Sequence, residues 1–437
     1  MRARSTMAVA ALAALVLTLP VTTASAAPDT VAVSAASAAS AASAGATAPA
    51  AFVPLNISRI LDTRTYDQTP LRRPRAVEAG ETFAFPVAGW SHHPPQELTA
   101  VPDDATAVVV NVTATDTTAE GYLTIRPDAA GQTGTPATST LNFEAGQTVS
   151  NTATVALAPR GTNRSPRISV YNSAGRTSVV VDILGYYAPS TPERRGQKYD
   201  PVRPTRLADT RVEGGRLGWG GIVTADVARE DLGTADAKAV VLNVTAVDPS
   251  TEGFVVAYPS GTTLPYRGSN VSYGPGRTVA NQVVVPVGAD GKVKLFNTGS
   301  TELVVDIVGA YGPSGLNLYS AVTDQTRVLD TRYGSGAPAF STLRFPVAGV
   351  AGVPDNATAV ALNVTATEPQ APGHLEVFAA DEAGRPGTSS LNFEAGRTVA
   401  NAVTAQLGGN PGSVDIYHHS AGSTQLLADL TGWFVQG

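Results

Sequence analysis

A chain of 437 residues, 43% hydrophobic and only 15% charged, has the material for about three folded domains. Its net charge of −6 is thinly spread, which argues against a nucleic-acid partner, since phosphate binding needs a concentrated basic face. There is no Cys, so each domain must stand on its own core without disulfides.

Residues 1–26 read as a secretory signal peptide. Arg2 and Arg4 supply the positive start, Met7 to Leu19 an apolar run, and Ala24-Ser25-Ala26 a small-x-small cleavage site. The run is shorter than the ~20 apolar residues of a spanning helix, and no later stretch qualifies. The expectation is a secreted, extracellular protein with no transmembrane segment. Residues 27–51 are Ala/Ser-rich, with one charge, Asp29, and no aromatic ring. That composition predicts a disordered tether.

Three copies of one unit follow, at residues 52–189, 199–313 and 318–437. Each opens with a short strand ending in Asp-Thr-Arg: Asp62 to Arg64, Asp209 to Arg211, and Asp330 to Arg332. After a variable loop comes an apolar strand: Phe83 to Ala88, Ile222 to Val227, or Leu343 to Ala348. A β-branched strand with Asn-Val-Thr-Ala is next, at Ala107 to Ala114, Ala239 to Ala246 and Ala359 to Ala366. Its hairpin partner begins after Gly121, Gly253 or Gly373. Then Leu141 to Asn151 reads as strand, Gly turn, strand, and it returns almost letter for letter at Leu391 to Asn401. A weaker copy lies at Val271 to Asn281. Each unit closes on a hairpin and a Gly with an aromatic: Gly185-Tyr186-Tyr187, Gly309-Ala310-Tyr311, Gly432-Trp433-Phe434. About eight short strands per unit, with no segment of helical period, predict an all-β protein of three tandem antiparallel β-sandwich, jelly-roll-like repeats.

No catalytic set stands out. None of the five His recurs in all three units, and there is no Gly-x-Ser-x-Gly elbow. The sequence therefore predicts neither an enzyme nor a cofactor. His418-His419 reads as a surface hairpin turn, with a weak metal or ligand contact as the alternative. Asp62, Asp209 and Asp330 are expected to cap turns and pair with Arg64, Arg211 and Arg332. Asp182, Asp306 and Asp429 lie inside apolar strands and must be paired or face solvent; an Arg of the first motif of the same unit is the favoured partner. Calcium held by both Asp sets is the alternative, but no loop has dense Asp/Asn spacing, so no metal site is assigned. Asn111, Asn243 and Asn363 recur within strands, where Asn is disfavoured, which predicts a fixed hydrogen-bonding task. Trp90 and Trp219, in variable loops, and Tyr122 are the candidate ligand-contact residues.

The order Leu-Asp-Thr-Arg, Leu-Asn-Val-Thr-Ala and Leu-Asn-Phe-x-Ala-Gly-x-Thr-Val-x-Asn, closed by Val-Asp-Ile-x-Gly-Tyr-Tyr, resembles a β-rich repeat family of secreted actinobacterial proteins. The resemblance covers nearly all of the chain from Phe52 on, with unit two departing most. Such repeats occur alone or beside secreted hydrolases, so the resemblance implies an extracellular binding module and no reaction. The expected function is multivalent recognition of a cell-wall or extracellular polysaccharide. The alternative is a structural or protein-interaction subunit of an extracellular assembly, such as a coat, appendage or toxin complex.

Overall fold

The computed structural model describes residues 30–32, 45–64, 75–87, 101–128, 134–157, 166–265 and 268–437. The expected signal peptide, residues 1–26, and Trp90 lie outside them.

Among the described residues the protein is all-β, with no α-helix and two single 3-10 turns at Glu230–Leu232 and Thr331–Tyr333. Each unit is a sandwich of two antiparallel sheets. In unit one the inner sheet runs in the order Ala51–Asp62, Ser178–Ala188, Ala107–Thr115, Val149–Ala156. The outer sheet runs Thr82–Pro86, Arg167–Asn172, Gly121–Pro127, Leu141–Phe143. The same orders recur in units two and three.

Strand Ala107–Thr115 shows why the sequence lacks a simple alternation there: all of it is buried, so both faces are covered. Val108, Val110 and Val112 face the core of their own sandwich. Ala107 and Val109, on the other face, enter a fourth core to which all three units contribute.

Six aromatic rings fill that shared core. Within a unit the pairs are Phe52–Tyr187, Tyr199–Tyr311 and Tyr319–Phe434, with centroids 5.2, 5.1 and 4.9 Å apart. Between units they are Phe52–Tyr311, Tyr199–Phe434 and Tyr319–Tyr187, at 4.4, 4.2 and 4.4 Å. Unit one thus meets two, two meets three, and three meets one, so the units surround a pseudo-threefold axis. The closing glycines make this possible: a Cβ at Gly185, Gly309 or Gly432 would overlap Phe52, Tyr199 or Tyr319. The first strands also bridge in a cycle, Phe52 to Gln197, Tyr199 to Asn317, and Tyr319 to Ala50.

A polar ring repeats the cycle. Asn281 Nδ2 donates to Asn111 Oδ1 (2.9 Å), Asn401 Nδ2 to Asn243 Oδ1 (3.3 Å), and Asn151 Nδ2 to Asn363 Oδ1 (2.9 Å). Each receiving Asn in turn donates to a Ser carbonyl of the donor's unit, at Ser269, Ser389 or Ser139. The Gly turns meet as well: Glu144 of unit one pairs with Arg277 of unit two and Arg397 of unit three.

Two expectations need correction. The described parts of the Ala/Ser-rich stretch are strand-paired rather than a free tether. Thr30–Ala32 adds a parallel strand beside Ser341–Pro346, and Thr47 and Ala50 bond to Ala321 and Tyr319. His418 is not in a surface turn either. It lies in strand Ser413–Ser420, fully buried, with Nδ1 2.8 Å from Pro338 O and Nε2 2.8 Å from Thr424 Oγ1. In units one and two Asn172 and Asn297 hold this place and close the same turn.

Candidate functional site: grooves between units

Each unit ends its first strand in an Arg–Asp cluster. Asp62 Oδ1 accepts from Arg64 N (3.1 Å) and Arg64 Nε (3.0 Å), and Oδ2 accepts from Nη2 (2.9 Å). Asp209 with Arg211 and Asp330 with Arg332 repeat this geometry. The carboxylate thus caps the turn through a backbone N–H while gripping a guanidinium. Arg59 reaches back to Asp182 at 2.9 and 3.2 Å, and Arg327 to Asp429 at 2.8 and 3.1 Å. Arg206 does the same to Asp306. Each cluster holds two Arg and two Asp and is neutral.

Asp62, Asp209 and Asp330 are held below the ordinary carboxyl value, while Asp306 and Asp429 are raised above it. Burial pulls Asp62 and Asp330 up, but the hydrogen bonds and charges of their Arg partners outweigh it and leave both carboxyls below the ordinary value. The Arg211 hydrogen bond lowers Asp209 outright. For Asp306 and Asp429 burial wins over the Arg206 or Arg327 hydrogen bond and raises the carboxyl.

The Arg residues of the clusters in units one and two form one wall of grooves between neighbouring units. The first groove, about 330 Å³, has Arg59, Arg64, Thr113 and Thr115 of unit one facing Phe254, Leu264 and Phe296 of unit two. The second, about 710 Å³, has Arg206, Arg211 and Thr245 of unit two facing Phe340, His374 and His419 of unit three. At the third interface Arg327 of unit three donates to Ala137 O, and Gln325 accepts from Thr138, both of unit one. One hydroxyl recurs without a hydrogen-bond partner: Thr113, Thr245 and Thr365 are all buried with Oγ1 unpaired. The first two of these residues line the grooves.

The facing wall comes from the outer sheets, where alternate residues of two strands point outward. Tyr122 and Tyr171 make the pair in unit one, with centroids 6.1 Å apart. The matching positions hold Phe254 and Phe296 in unit two and His374 and Tyr417 in unit three. Tyr122 is half-buried, and its N–H donates to Ser173 Oγ. Trp219 is 81% exposed and stands edge-on to Phe296 at 6.3 Å, beside exposed Ile222. Asn111, Asn243 and Asn363 belong to the ring between units.

Sequence reasoning read His419 as part of a surface turn and passed over His374, Tyr417 and Arg385, whose guanidinium lies 3.8 Å from the Tyr417 ring centroid. The repeat could have found them, because His374 stands where the other units place Tyr122 and Phe254. Burial lowers the pKa of His419, and the neighbouring His374 adds to this. Among the described residues no group of three or more His, Cys, Asp or Glu could hold a metal ion, and no helix is long and apolar enough to cross a membrane.

No protein-family model matches the chain, and no curated protein does. Among solved structures it is similar to the N-terminal CBM22-1-CBM22-2 tandem domain from Paenibacillus barcinonensis Xyn10C. That match has 9% identity and a TM-score of 0.17, covering 63% of this chain and 99% of that one. It is also similar to a chain of Sulfolobus Turreted Icosahedral Virus, at 10% identity and a TM-score of 0.16, covering 89% of this chain and 92% of that one. Neither likeness reaches the level of a shared fold.

Proposed function

We propose that this chain is a secreted, non-enzymatic binding protein whose grooves between units recognise a polymeric glycan of the cell wall or extracellular matrix. One observation carries the reading: the same two-walled groove, Arg and Thr on one side and ring-bearing outer sheet on the other, stands between units one and two and again between two and three. A sugar ring needs both walls. Its C–H face packs on a flat aromatic ring, and its hydroxyls take hydrogen bonds from fixed donors such as a guanidinium already oriented by carboxylates. Weak sites disposed about one axis gain affinity when a polymer engages several of them.

The test is co-sedimentation of the purified chain with insoluble peptidoglycan, chitin and cellulose. Retention by one polymer, lost in a Trp219→Ala, Phe254→Ala double variant, is the expected result. Equal retention by the double variant, or none by the parent, would sink the reading.

A second reading rests on unit two, where Val212 (80% exposed), Trp219 and Ile222 present apolar surface to solvent. That surface suits a protein partner in an extracellular assembly. A defined oligomer by light scattering, or co-purification of a second secreted protein, would favour it.

A further inference from the structure

His374 and His419 stand directly opposite each other on strands Gly373–Ala379 and Ser413–Ser420 of the outer sheet of unit three. Their Nδ1 atoms are 3.3 Å apart, and the rings meet nearly edge to face at 77°. Nothing in the sandwich requires this pair. Unit one has Tyr122 and Ser173 at the two positions, and unit two has Phe254 and Thr298.

The spacing has a chemical meaning. Two imidazole nitrogens bound to one tetrahedral cation at ~2.0–2.1 Å lie about 3.3 Å from each other. The state of His374 favours such use. Its Nε2 is 3.6 Å from Oε1 of Glu376, a buried carboxylate whose other oxygen accepts from Gly387 N at 3.0 Å. Glu376 thus lies on the Nε2 side, beyond direct hydrogen-bond reach, and Nδ1 is the nitrogen that faces His419; metal-bound imidazoles commonly have a carboxylate on that outer side. Arg385 lies close, but its charge is met by Glu376 at 3.4 Å. His419 is exposed, and both rings line the 710 Å³ groove, so further coordination positions are open to water or to an oxygen of a groove ligand.

We propose that His374 and His419 form a two-histidine site for a borderline divalent cation, zinc or copper, at the edge of the groove between units two and three. Imidazole nitrogen selects these ions over magnesium and calcium, which want oxygen ligands. A single proton held between the two Nδ1 atoms is the competing occupant of the gap, and metal binding displaces it. The site stands whether or not the grooves take a glycan.

The experiment is calorimetric titration of the full chain with zinc chloride and with copper(II), without a histidine tag. The parent carries His92→Ala and His93→Ala, so that the other adjacent His pair contributes nothing. The two test variants borrow residues that unit two already uses at these places, His374→Phe and His419→Thr, so folding is preserved. The expected result is one equivalent of zinc bound by the parent, affinity weakened at least tenfold in each variant, and no response to magnesium. A zinc-dependent rise in unfolding temperature should appear in the parent alone. No saturable binding by the parent, or the same stoichiometry and affinity in both variants, overturns the proposal.

Discussion

The axis and the grooves are built from the same units but repeat to different depths. At the axis every copy supplies a closing Gly, a ring packed on it, and an Asn that bonds into the next unit. At the two grooves the Arg-bearing wall repeats, while the facing wall carries Phe254 in one and His374 in the other, at the position that Tyr122 holds in unit one. The difference follows from what each surface must fit. An axial residue is held by its own unit and by a neighbour, so a change in one copy breaks two fits. A groove residue has one open side, and its chemistry can differ from copy to copy without loss of the fold. The repeated wall is fixed by the architecture, and the varied wall is free to differ between copies.

If so, substitutions at the axis should cost far more stability than substitutions on the varied wall. The largest effect is expected for Asn281→Ala. Asn281 is fully buried; it donates to Asn111 Oδ1 and Asn270 O and accepts from Thr152 N. Removing it strands buried groups in units one and two, at a cost of about 3–5 kcal/mol. Urea unfolding would read this as a lower midpoint, with loss of the single transition if the units uncouple. Gly432→Ala should cost about 1–3 kcal/mol, because the new Cβ meets Tyr319 and the Ser320 carbonyl. An unchanged midpoint in either variant would remove the axial part of the contrast.

Much of this organisation could be read from the sequence, and the missing part has a single cause. Eight strand signals per unit, all-β composition and a bridge from Asp182 to an Arg of the first motif are visible because each is complete within one unit and recurs in the others. The Asn ring is not. Asn151 and Asn363 are 212 residues apart and each is satisfied by a different copy, so no single unit reveals what its Asn bonds to. His418 misleads for a related reason. Beside His419 it looks like a polar turn, but strand Ser413–Ser420 extends past Asp415 and turns alternate residues inward. The closing aromatics repeat visibly, yet their role depends on rings from the next unit.

The Arg–Asp wall should respond to acid. The unfolded chain binds a proton at Asp62 more tightly than the folded chain does, because Arg64 and Arg59 hold the native carboxyl below its ordinary value despite burial. Its stabilisation is therefore complete above pH ~4 and is lost as pH falls through the lower native value. The gap in urea midpoint between the parent and Asp62→Asn should close below that pH. Asp306 acts in the opposite sense. Burial raises its carboxyl, so its own contribution is fullest in acid and falls as pH rises through the raised value. A gap that stays constant down to pH ~2 would mean that Asp62 gains nothing from its ionised form.

Trp219→Ala should have the smallest effect on folding. Its ring is 81% exposed and touches the sheet edge-on at Phe296, so truncation should shift stability by no more than about 0.5 kcal/mol. The same change removes a large flat surface beside the first groove, where Phe296 already forms part of the wall. Binding to a retained polymer should fall while the urea midpoint stays in place. A loss of 2 kcal/mol or more would mean that Trp219 is packed into the fold, and that the varied wall of unit two serves stability as the axis does. Unchanged stability with unchanged binding would move recognition away from this face and toward the His-bearing wall of unit three.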